Sequence, residues 1–197
     1  MFLASQHSFS QIEIPTQFSK FQNDEYGIEI EYPSNWEILG DVEPGDYSTE
    51  IAIFAPIEEI KFKEFDSWND FVKFDYRVLV MLDYSYLLPK LNLNFALDNS
   101  ISAIASAGYG FKGLEVIEST TKSKLADKPA YKFAYQTKKK GDYFKYIEIG
   151  TIIDGNQVLS INFKAPLEYF DLYLPTFQHM IDSFKFGQFE NNSSSTD

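Results

Sequence analysis

The sequence predicts an α+β fold in which a central antiparallel β-sheet is flanked by helices. Segments rich in β-branched and aromatic residues alternate between apolar and polar side chains, which is the period of a strand. Short turns separate these segments, as they do in antiparallel hairpins. Two stretches, residues 94–107 and 167–184, instead show the spacing of an amphipathic helix. Because several strands follow one another before each helix, an antiparallel sheet is favoured over a parallel one.

The first predicted strands lie in the stretch YGIEIEYPSNWEI, residues 26–38. Ile28 and Ile30 fall on one face of a strand, and the intervening glutamates fall on the other. Pro33 ends this strand because it has no N–H group to donate to a neighbouring strand. After a Ser-Asn turn, Trp36 begins a second short strand and is large enough to anchor a core.

Two further segments before the first helix are predicted to be strands. Residues 74–82 alternate, and their β-branched and aromatic content favours a strand over the competing interpretation, a buried helix at 68–86. The charged stretch 57–69 is predicted to be a loop. In the other strand, residues 49–56, the alternation defines two faces: Ile51, Ile53 and Ala55 on one, and Glu50, Ala52 and Phe54 on the other.

Each predicted helix has an apolar face that is expected to pack on the sheet. In residues 94–107 this face consists of Leu97, Ile101, Ile104 and Ala105. In residues 167–184 it consists of Phe177, Met180, Ile181 and Phe184. Pro175 is accommodated there as a kink or as the first turn of a new segment. Between the helices we predict a turn at 125–130 and four strands, at 113–119, 131–137, 143–153 and 157–165.

The length of 197 residues fits one domain with short tails. We place the domain at residues 21–187. Residues 1–20 are predicted to be a disordered segment or the remnant of a signal peptide, since a short apolar patch is followed by small residues. Residues 188–197 are predicted to be a disordered polar tail. Asn191 and Asn192 each begin an Asn-x-Ser sequon there, which makes both of them candidate glycosylation sites.

Composition excludes several classes of function. The net charge of −12 argues against a nucleic-acid partner, because phosphate contacts need clustered lysines and arginines. The absence of cysteine excludes disulfides, thiolate nucleophiles and zinc–thiolate sites. With two histidines, an imidazole-rich metal site is not expected either. The sequence has no run of eighteen apolar residues, so we predict no membrane span in this chain.

Two regions together resemble the PsbP-like family, which is named for an extrinsic protein of photosystem II. These regions are residues 26–38 and 124–186, and the likeness is to archaeal and bacterial non-photosynthetic members. The resemblance extends over about 21–186 and is weak at 57–93. Asp127 stands where the family usually has glycine, and a turn accepts either residue. The most specific match is the closing helix, with Tyr169, Tyr173, Leu174, Pro175, Met180, Ile181, Ser183 and Phe184.

The resemblance implies a fold and a class of function. The fold is a central antiparallel sheet between helices, an α/β/α sandwich, in which residues 26–38 form the first hairpin and Trp36 anchors the domain. Members of the family are mostly exported and non-enzymatic, and some bind calcium or manganese. The same fold occurs in a nuclear import factor that binds the GTPase Ran. Because no metal-ligand motif of the family matches here, the resemblance assigns no ligands.

One metal site is predicted from the residues themselves. Asp41, Glu43 and Asp46 lie in one acidic turn and offer hard oxygen ligands, so they are candidates for weak calcium or manganese binding. The turn is too short for the twelve-residue ligand pattern of an EF-hand. The competing interpretation is a solvated acidic turn without bound metal, and no other cofactor is expected.

Three other groups of residues are candidate sites. His179 and Ser183 lie one helical turn apart beside Asp182, but a serine within a helix has no oxyanion hole beside it, so we predict no catalysis and a surface position for His179. The lysines at 138–140 fit either a docking patch or a solvated hairpin tip. A set of aromatic residues fits either packing on the sheet or an exposed patch: Phe65, Trp68 and Phe71.

These observations predict a non-enzymatic, extracytoplasmic module that acts through protein–protein contacts. Its partner is expected to be an unidentified protein at a membrane or cell surface. The alternative is an ion- or small-ligand-binding module that uses the acidic turn or an aromatic cleft. Few chemical groups for catalysis are available in the sequence, whereas acidic charge and abundant aromatic residues suit binding.

Overall fold

Strands account for most of the regular structure. The computed structural model describes residues 15–39, 48–56, 78–86, 92–106, 112–139, 142–153 and 157–187. Within these ranges the elements follow in this order: β1 Phe18–Asn23, β2 Ile28–Pro33, β3 Trp36–Leu39, β4 Ser48–Pro56, β5 Leu79–Tyr86, α1 Leu93–Ser106, β6 Lys112–Leu125, β7 Lys128–Lys139, β8 Asp142–Ile152, β9 Gln157–Pro166, α2 Leu167–Ser183 and β10 Lys185–Phe186.

A seven-stranded sheet forms the centre of the fold, with strand order β3-β4-β5-β9-β8-β7-β6. Each pair of neighbouring strands in it is antiparallel. Helix α1 packs against β6, β7 and β8, and α2 packs against β8 and β9. The two helices lie on opposite faces, because α1 contacts Tyr131 and Phe133 of β7, whereas Ala134 belongs to the core under α2. The predicted α+β fold with helices flanking an antiparallel sheet is confirmed.

A second, three-stranded sheet has the order β1-β2-β10 and packs against α2. Ile28 and Ile30 of β2 are buried under the helix, as the alternation predicted. The predicted hairpin of residues 26–38 is wrong, since β2 pairs with β1 and β10 while β3 pairs with β4. Pro33 is the last residue of β2 that pairs with β1. Strand β3 belongs to the larger sheet through its pairing with β4, and Trp36 at its start is buried against Tyr173 of α2.

The main core lies between α2 and the two sheets. Phe177, Met180, Ile181 and Phe184 are all buried, so the predicted stripe is confirmed. Phe170 and Tyr173, which the prediction omitted, extend this stripe by about two turns towards the N-terminus of the helix. Pro175 lies inside the continuous helix α2 on its exposed side. Proline has no backbone N–H, so one helical hydrogen bond is absent at this position, but it is absent on the exposed side of the helix and not in the core.

The face under α1 holds a smaller core. Asn92 caps this helix, because its side-chain Oδ1 accepts a hydrogen bond from the N–H of Phe95 at 2.9 Å. Leu97 is buried as predicted, and Ile101 and Ile104 are half-buried. Ala105 is exposed, so its assignment to the apolar face is wrong; the small side chain of Ala96 lies against the sheet instead. The close approach of the helix is possible because alanine occupies little space there.

Several predicted boundaries change. Strand β1 begins at Phe18, so residues 18–20 are not irregular as predicted, because they pair with β2. Strand β5 runs over Leu79–Tyr86 and confirms a strand there rather than a helix, while residues 74–77 lie outside the described residues. The loop predicted at 57–69 also lies outside them. Strand β6 is twice as long as the predicted 113–119. The turn predicted at 125–130 is narrower, because pairing of β6 with β7 continues to Leu125↔Lys128.

The two predicted faces of β4 are not distinguished by burial. Ile51, Ala52, Ile53, Phe54 and Ala55 are all buried. The strand lies inside the sheet between β3 and β5, and both of its faces are covered. Alternation of side chains along a strand is therefore no guide to exposure where neither face meets water.

Candidate functional site

A groove lies beside α2 on the face of the large sheet that this helix covers in part. Because α2 packs on β8 and β9, the outer strands β6 and β7 extend beyond it. The space between helix and outer strands, here called the α2 groove, has a volume of about 400 Å³. That volume is within the range of protein ligand sites.

The floor of the α2 groove is apolar. Ala134 of β7 and Ile147 and Ile149 of β8 line it from the sheet, and each of them is otherwise largely buried. The side chains of Phe170, Leu174 and Phe177 line it from α2. The opposite rim carries Ile117 of β6, whose side chain is 47% exposed. Apolar groups of a bound molecule would therefore meet apolar surface from both walls.

Charged side chains surround this floor. Three lysines, Lys124, Lys132 and Lys145, and two carboxylates, Glu118 and Asp182, belong to the lining. Lys132 Nζ lies 2.9 Å from Glu118 Oε2, across the β6–β7 ladder. Lys145 Nζ lies 4.4 Å from the centroid of the Phe170 ring, at cation–π distance. The α2 groove thus combines an apolar floor with a charged border.

A buried polar cluster lies on the opposite face, under α1. Tyr131 donates its hydroxyl to Glu148 Oε1 at 2.5 Å, and Ser100 of α1 donates to the same oxygen at 2.8 Å. Burial raises the pKa of the Glu148 carboxyl, and the two hydrogen bonds oppose that rise. Burial and the neighbouring Glu148 carboxylate both raise the pKa of Tyr131. We call these three residues the Glu148 cluster.

The Glu148 cluster is arranged for attachment of α1 to the sheet rather than for catalysis. Its two hydroxyl groups donate to one carboxylate oxygen, and they lie 3.1 Å from each other. A phenol whose pKa is raised stays protonated at neutral pH, so Tyr131 acts as a hydrogen-bond donor and not as a base. These contacts satisfy a carboxylate that would otherwise be costly to bury.

The aromatic residues beside the Glu148 cluster stack on one another. The ring centroids of Tyr135 and Tyr146 are 4.6 Å apart with an interplanar angle of 2°, and Phe133 lies 4.8 Å from Tyr135. Burial is the largest cause of the raised pKa of Tyr135. Since these ring faces contact each other, this row offers little free aromatic surface to a small ligand. The aromatic cleft of the alternative stays a prediction.

The helix residues His179, Asp182 and Ser183 do not assemble a nucleophile with a base. Ser183 Oγ donates to the carbonyl oxygen of Met180 at 2.8 Å and accepts the N–H of Glu31 at 2.9 Å. His179 Nε2 lies 2.9 Å from Glu31 Oε2. That this triplet is not catalytic stays a prediction. The side chain of His179 is 42% exposed, in line with its predicted surface position, and its ring stacks on Phe18.

Of the predicted lysine patch, Lys138 lies with its Nζ 5.3 Å from the centroid of the exposed Tyr143 ring. Lys140 lies outside the described residues. So do the other sequence-predicted sites: the metal candidates Asp41, Glu43 and Asp46, the sequons Asn191 and Asn192, and the aromatic residues Phe65, Trp68 and Phe71. Among the residues that the structure does describe, no group of three or more acidic or histidine side chains is placed to hold a metal ion.

Sequence reasoning missed both the α2 groove and the Glu148 cluster. Lys132 and Lys145 share a face with Ala134 and Ile147, which strand alternation alone could have shown. That the helix leaves this face partly open depends on long-range packing, for which the sequence gives no local signal.

In the described part of the chain, no helix is both long and apolar enough to cross a membrane.

Comparison with known proteins identifies the fold. The chain matches no family model, and no curated protein sequence matches it significantly. Solved structures do match. CyanoP, the cyanobacterial PsbP of Synechocystis sp. PCC 6803, superposes with a TM-score of 0.62 at 13% identity, covering 93% of this chain and 99% of that one. The sheet and its two helices therefore have a PsbP-like fold, as the sequence resemblance implied.

Two further solved structures share this fold. LpqN of Mycobacterium tuberculosis, described as involved in cell envelope biogenesis, has a TM-score of 0.55 at 11% identity and covers 87% of this chain and 91% of that one. The Ran-binding protein Mog1p of Saccharomyces cerevisiae has a TM-score of 0.55 at 10% identity and covers 86% of this chain and 95% of that one. At such identities the likeness concerns the fold alone.

Proposed function

We propose that the protein is a non-enzymatic binding module that holds a partner protein in the α2 groove. The observation that carries this proposal is the groove itself, which has an apolar floor of the slightly exposed Ala134, Ile147 and Ile149, an exposed Ile117 on its rim and a border of charged side chains. Partly open apolar surface with a polar border is characteristic of protein interaction sites. The structural neighbour Mog1p is a Ran-binding protein, which supports a binding role for this fold.

A catalytic role is less well supported by the polar groups of the two candidate regions. In the α2 groove, Glu118 is paired with Lys132, and Asp182 accepts a hydrogen bond from Gln178 at 2.8 Å. In the Glu148 cluster the hydroxyls are donated to the carboxylate. Acyl transfer needs a nucleophile, a base within reach and an oxyanion site, and neither arrangement supplies them.

We further propose that the module acts outside the cytoplasm, at a membrane or cell surface. Two considerations support this: the sequence resemblance to a family of mostly exported proteins, and the likeness to LpqN, whose description connects it with the cell envelope. Fractionation of native cells tests this part separately. Recovery of the full-length protein in the cytosol would contradict it without affecting the binding role.

Site-specific photo-crosslinking tests the binding role. A photoreactive phenylalanine analogue replaces Ile117 on the rim of the groove or, as a control, Phe95 on the α1 side, which is similarly exposed at 49%. In the native host, we expect a discrete adduct from position 117 and none from position 95. Adducts of equal yield from both positions would contradict a specific site.

A blocking variant makes this experiment specific to the α2 groove. Gln178 lines the groove from the exposed side of α2, so Gln178→Trp is expected to fill the space and abolish the adduct at position 117. Asp171→Trp is the matched control, because Asp171 is exposed on the same helix but does not line the groove. An adduct that survives Gln178→Trp would show that the partner binds elsewhere.

A further inference from the structure

The charge of the α2 groove differs in sign from the charge of the protein. The whole chain has 29 acidic and 17 basic residues, whereas the groove lining has three lysines and two carboxylates. A local excess of basic groups on an acidic protein selects for negative charge at short range. The groove is therefore electrostatically unlike the average surface of this chain.

The basic excess resides in Lys124 and Lys145. Glu118 is paired with Lys132 at 2.9 Å, whereas Asp182 keeps its charge, since it accepts a hydrogen bond from the neutral amide of Gln178. The lining therefore carries one net positive charge, because Lys124 and Lys145 outnumber Asp182. Within the described residues, neither Lys124 nor Lys145 forms an ion pair. The contact of Lys145 with the Phe170 ring holds its ammonium group beside the floor without removing the charge. Both lysines are thus available to carboxylates of a bound molecule.

The floor determines the rest of the ligand's chemistry. Ile147 and Ile149 face the groove with apolar side chains, and Ile117 stands exposed on the rim. Covering this surface releases about 25 cal/mol per Å² of apolar area, so the occupant gains by presenting apolar groups of its own. Carboxylates must then stand to the sides, towards Lys124 and Lys145.

We propose that the α2 groove receives an acidic segment of a partner protein in which carboxylates flank apolar side chains. This inference rests on the proposed function and specifies the partner that the same site takes. A protein segment fits better than an anionic membrane, because the apolar floor lies between a helix and a strand, where a flat bilayer has no access.

Peptide binding tests the proposal. Three short fluorescent peptides share the same leucines and differ only in carrying glutamate, glutamine or lysine between them, and fluorescence anisotropy reports their binding to the full-length protein. We expect the glutamate peptide to bind about tenfold more tightly than the lysine peptide, with the glutamine peptide between them. Equal or tighter binding of the lysine peptide overturns the proposal, as does no binding of any peptide at millimolar concentration.

Charge-reversal variants locate the contact. Lys124→Glu with Lys145→Glu is expected to remove the preference for glutamate, whereas Lys138→Glu, a reversal outside the groove lining, is expected to leave it intact. Lys145→Met keeps the stem of the side chain over Phe170 and tests the charge alone, in case the double variant unfolds. Unchanged preference in both Lys145 variants overturns the proposal.

Two outcomes separate this inference from the function on which it rests. An adduct at position 117 that Gln178→Trp abolishes, combined with no preference for the glutamate peptide, leaves the binding role intact and refutes the acidic partner. Sedimentation with phosphatidylglycerol vesicles covers the remaining source of negative charge. Vesicle binding that depends on Lys124 and Lys145, without peptide binding, would assign the groove to a membrane surface and overturn the proposal.

Discussion

The phenol ring of Tyr131 occupies the space that a β-carbon on Gly150 would need. The two residues are directly paired across β7 and β8. An added β-carbon at position 150 would meet the Cζ atom of Tyr131 and its neighbours in the ring closer than real contacts allow. The ring therefore lies flat over the glycine, and this position brings its hydroxyl to Glu148. A residue without a side chain thus determines the geometry of the Glu148 cluster.

Gly150→Ala is expected to destabilise the protein by about 1 to 3 kcal/mol. The added methyl group overlaps the Tyr131 ring, and neither the buried ring nor the strand backbone can shift without loss of packing or hydrogen bonds. Urea denaturation measures the loss. Ser119→Ala, at an exposed site on β6, is the control and should change the free energy of unfolding by less than about 0.5 kcal/mol. In a Tyr131→Ala background the alanine at 150 should cost much less, and an undiminished cost there would contradict the explanation.

Local periodicity accounts for the parts of the fold that the sequence could predict. The alternation of β7 puts Tyr131, Phe133 and Tyr135 on one face, and the helical spacing of α2 puts Met180 in the core. Each of these patterns assigns residues to one face of an element from their local spacing alone. The PsbP-like resemblance added the layers of the fold, a sheet between helices, which periodicity does not contain.

Long-range packing accounts for the parts that could not be predicted. The burial of both faces of β4, with Phe54 on one and Ile53 on the other, follows from neighbours distant in the sequence, and so does the separation of β2 and β3 into two sheets. The lysines of the α2 groove are visible in the sequence, but their grouping depends on where α2 stops covering the sheet. Nothing local distinguishes Lys145 from other strand lysines, so the site emerges only when the sheet is assembled.

Replacement of Glu148 is expected to change how stability depends on pH. Burial raises the folded-state pKa of this carboxyl above its ordinary 4.5, so the folded protein holds the proton more tightly than the unfolded chain. The resulting stabilisation is complete below the unfolded value and is lost as pH rises through the raised value. Glu148→Gln lacks this dependence, so the stability of the natural protein relative to the variant should fall as pH rises.

Urea melts of both proteins from acid to neutral pH measure this difference. The carboxyl of Glu29, whose pKa is lowered mainly by Lys20, has the opposite dependence but is common to both proteins and cancels. Ser100→Ala removes one of the hydrogen bonds that lower the pKa of Glu148 and should extend the loss to higher pH. A difference that stays flat or grows with pH would exclude this role for Glu148.

Met180→Asp is expected to destabilise the fold by at least about 3 kcal/mol, because Met180 is fully buried under α2 and an unpaired carboxylate there has no compensating contact. Thermal melting detects the change. Leu167→Asp is the matched control, since Leu167 is exposed at the first residue of the same helix, where a negative charge is favourable. Equal melting temperatures for Met180→Asp and the natural protein would refute the packing of α2.

Ser183→Ala is expected to reduce stability without affecting any turnover. Its Oγ joins β2 to α2 by accepting the N–H of Glu31, and loss of such a partly buried hydrogen bond costs about 1 kcal/mol. Ser106→Ala is the control, because Ser106 bonds only within α1 at an exposed site and should change stability by less than about 0.5 kcal/mol.

We also expect no hydrolysis of esterase, peptidase or phosphatase substrates by the natural protein. Hydrolysis abolished by Ser183→Ala would make this serine a nucleophile and overturn the non-enzymatic assignment.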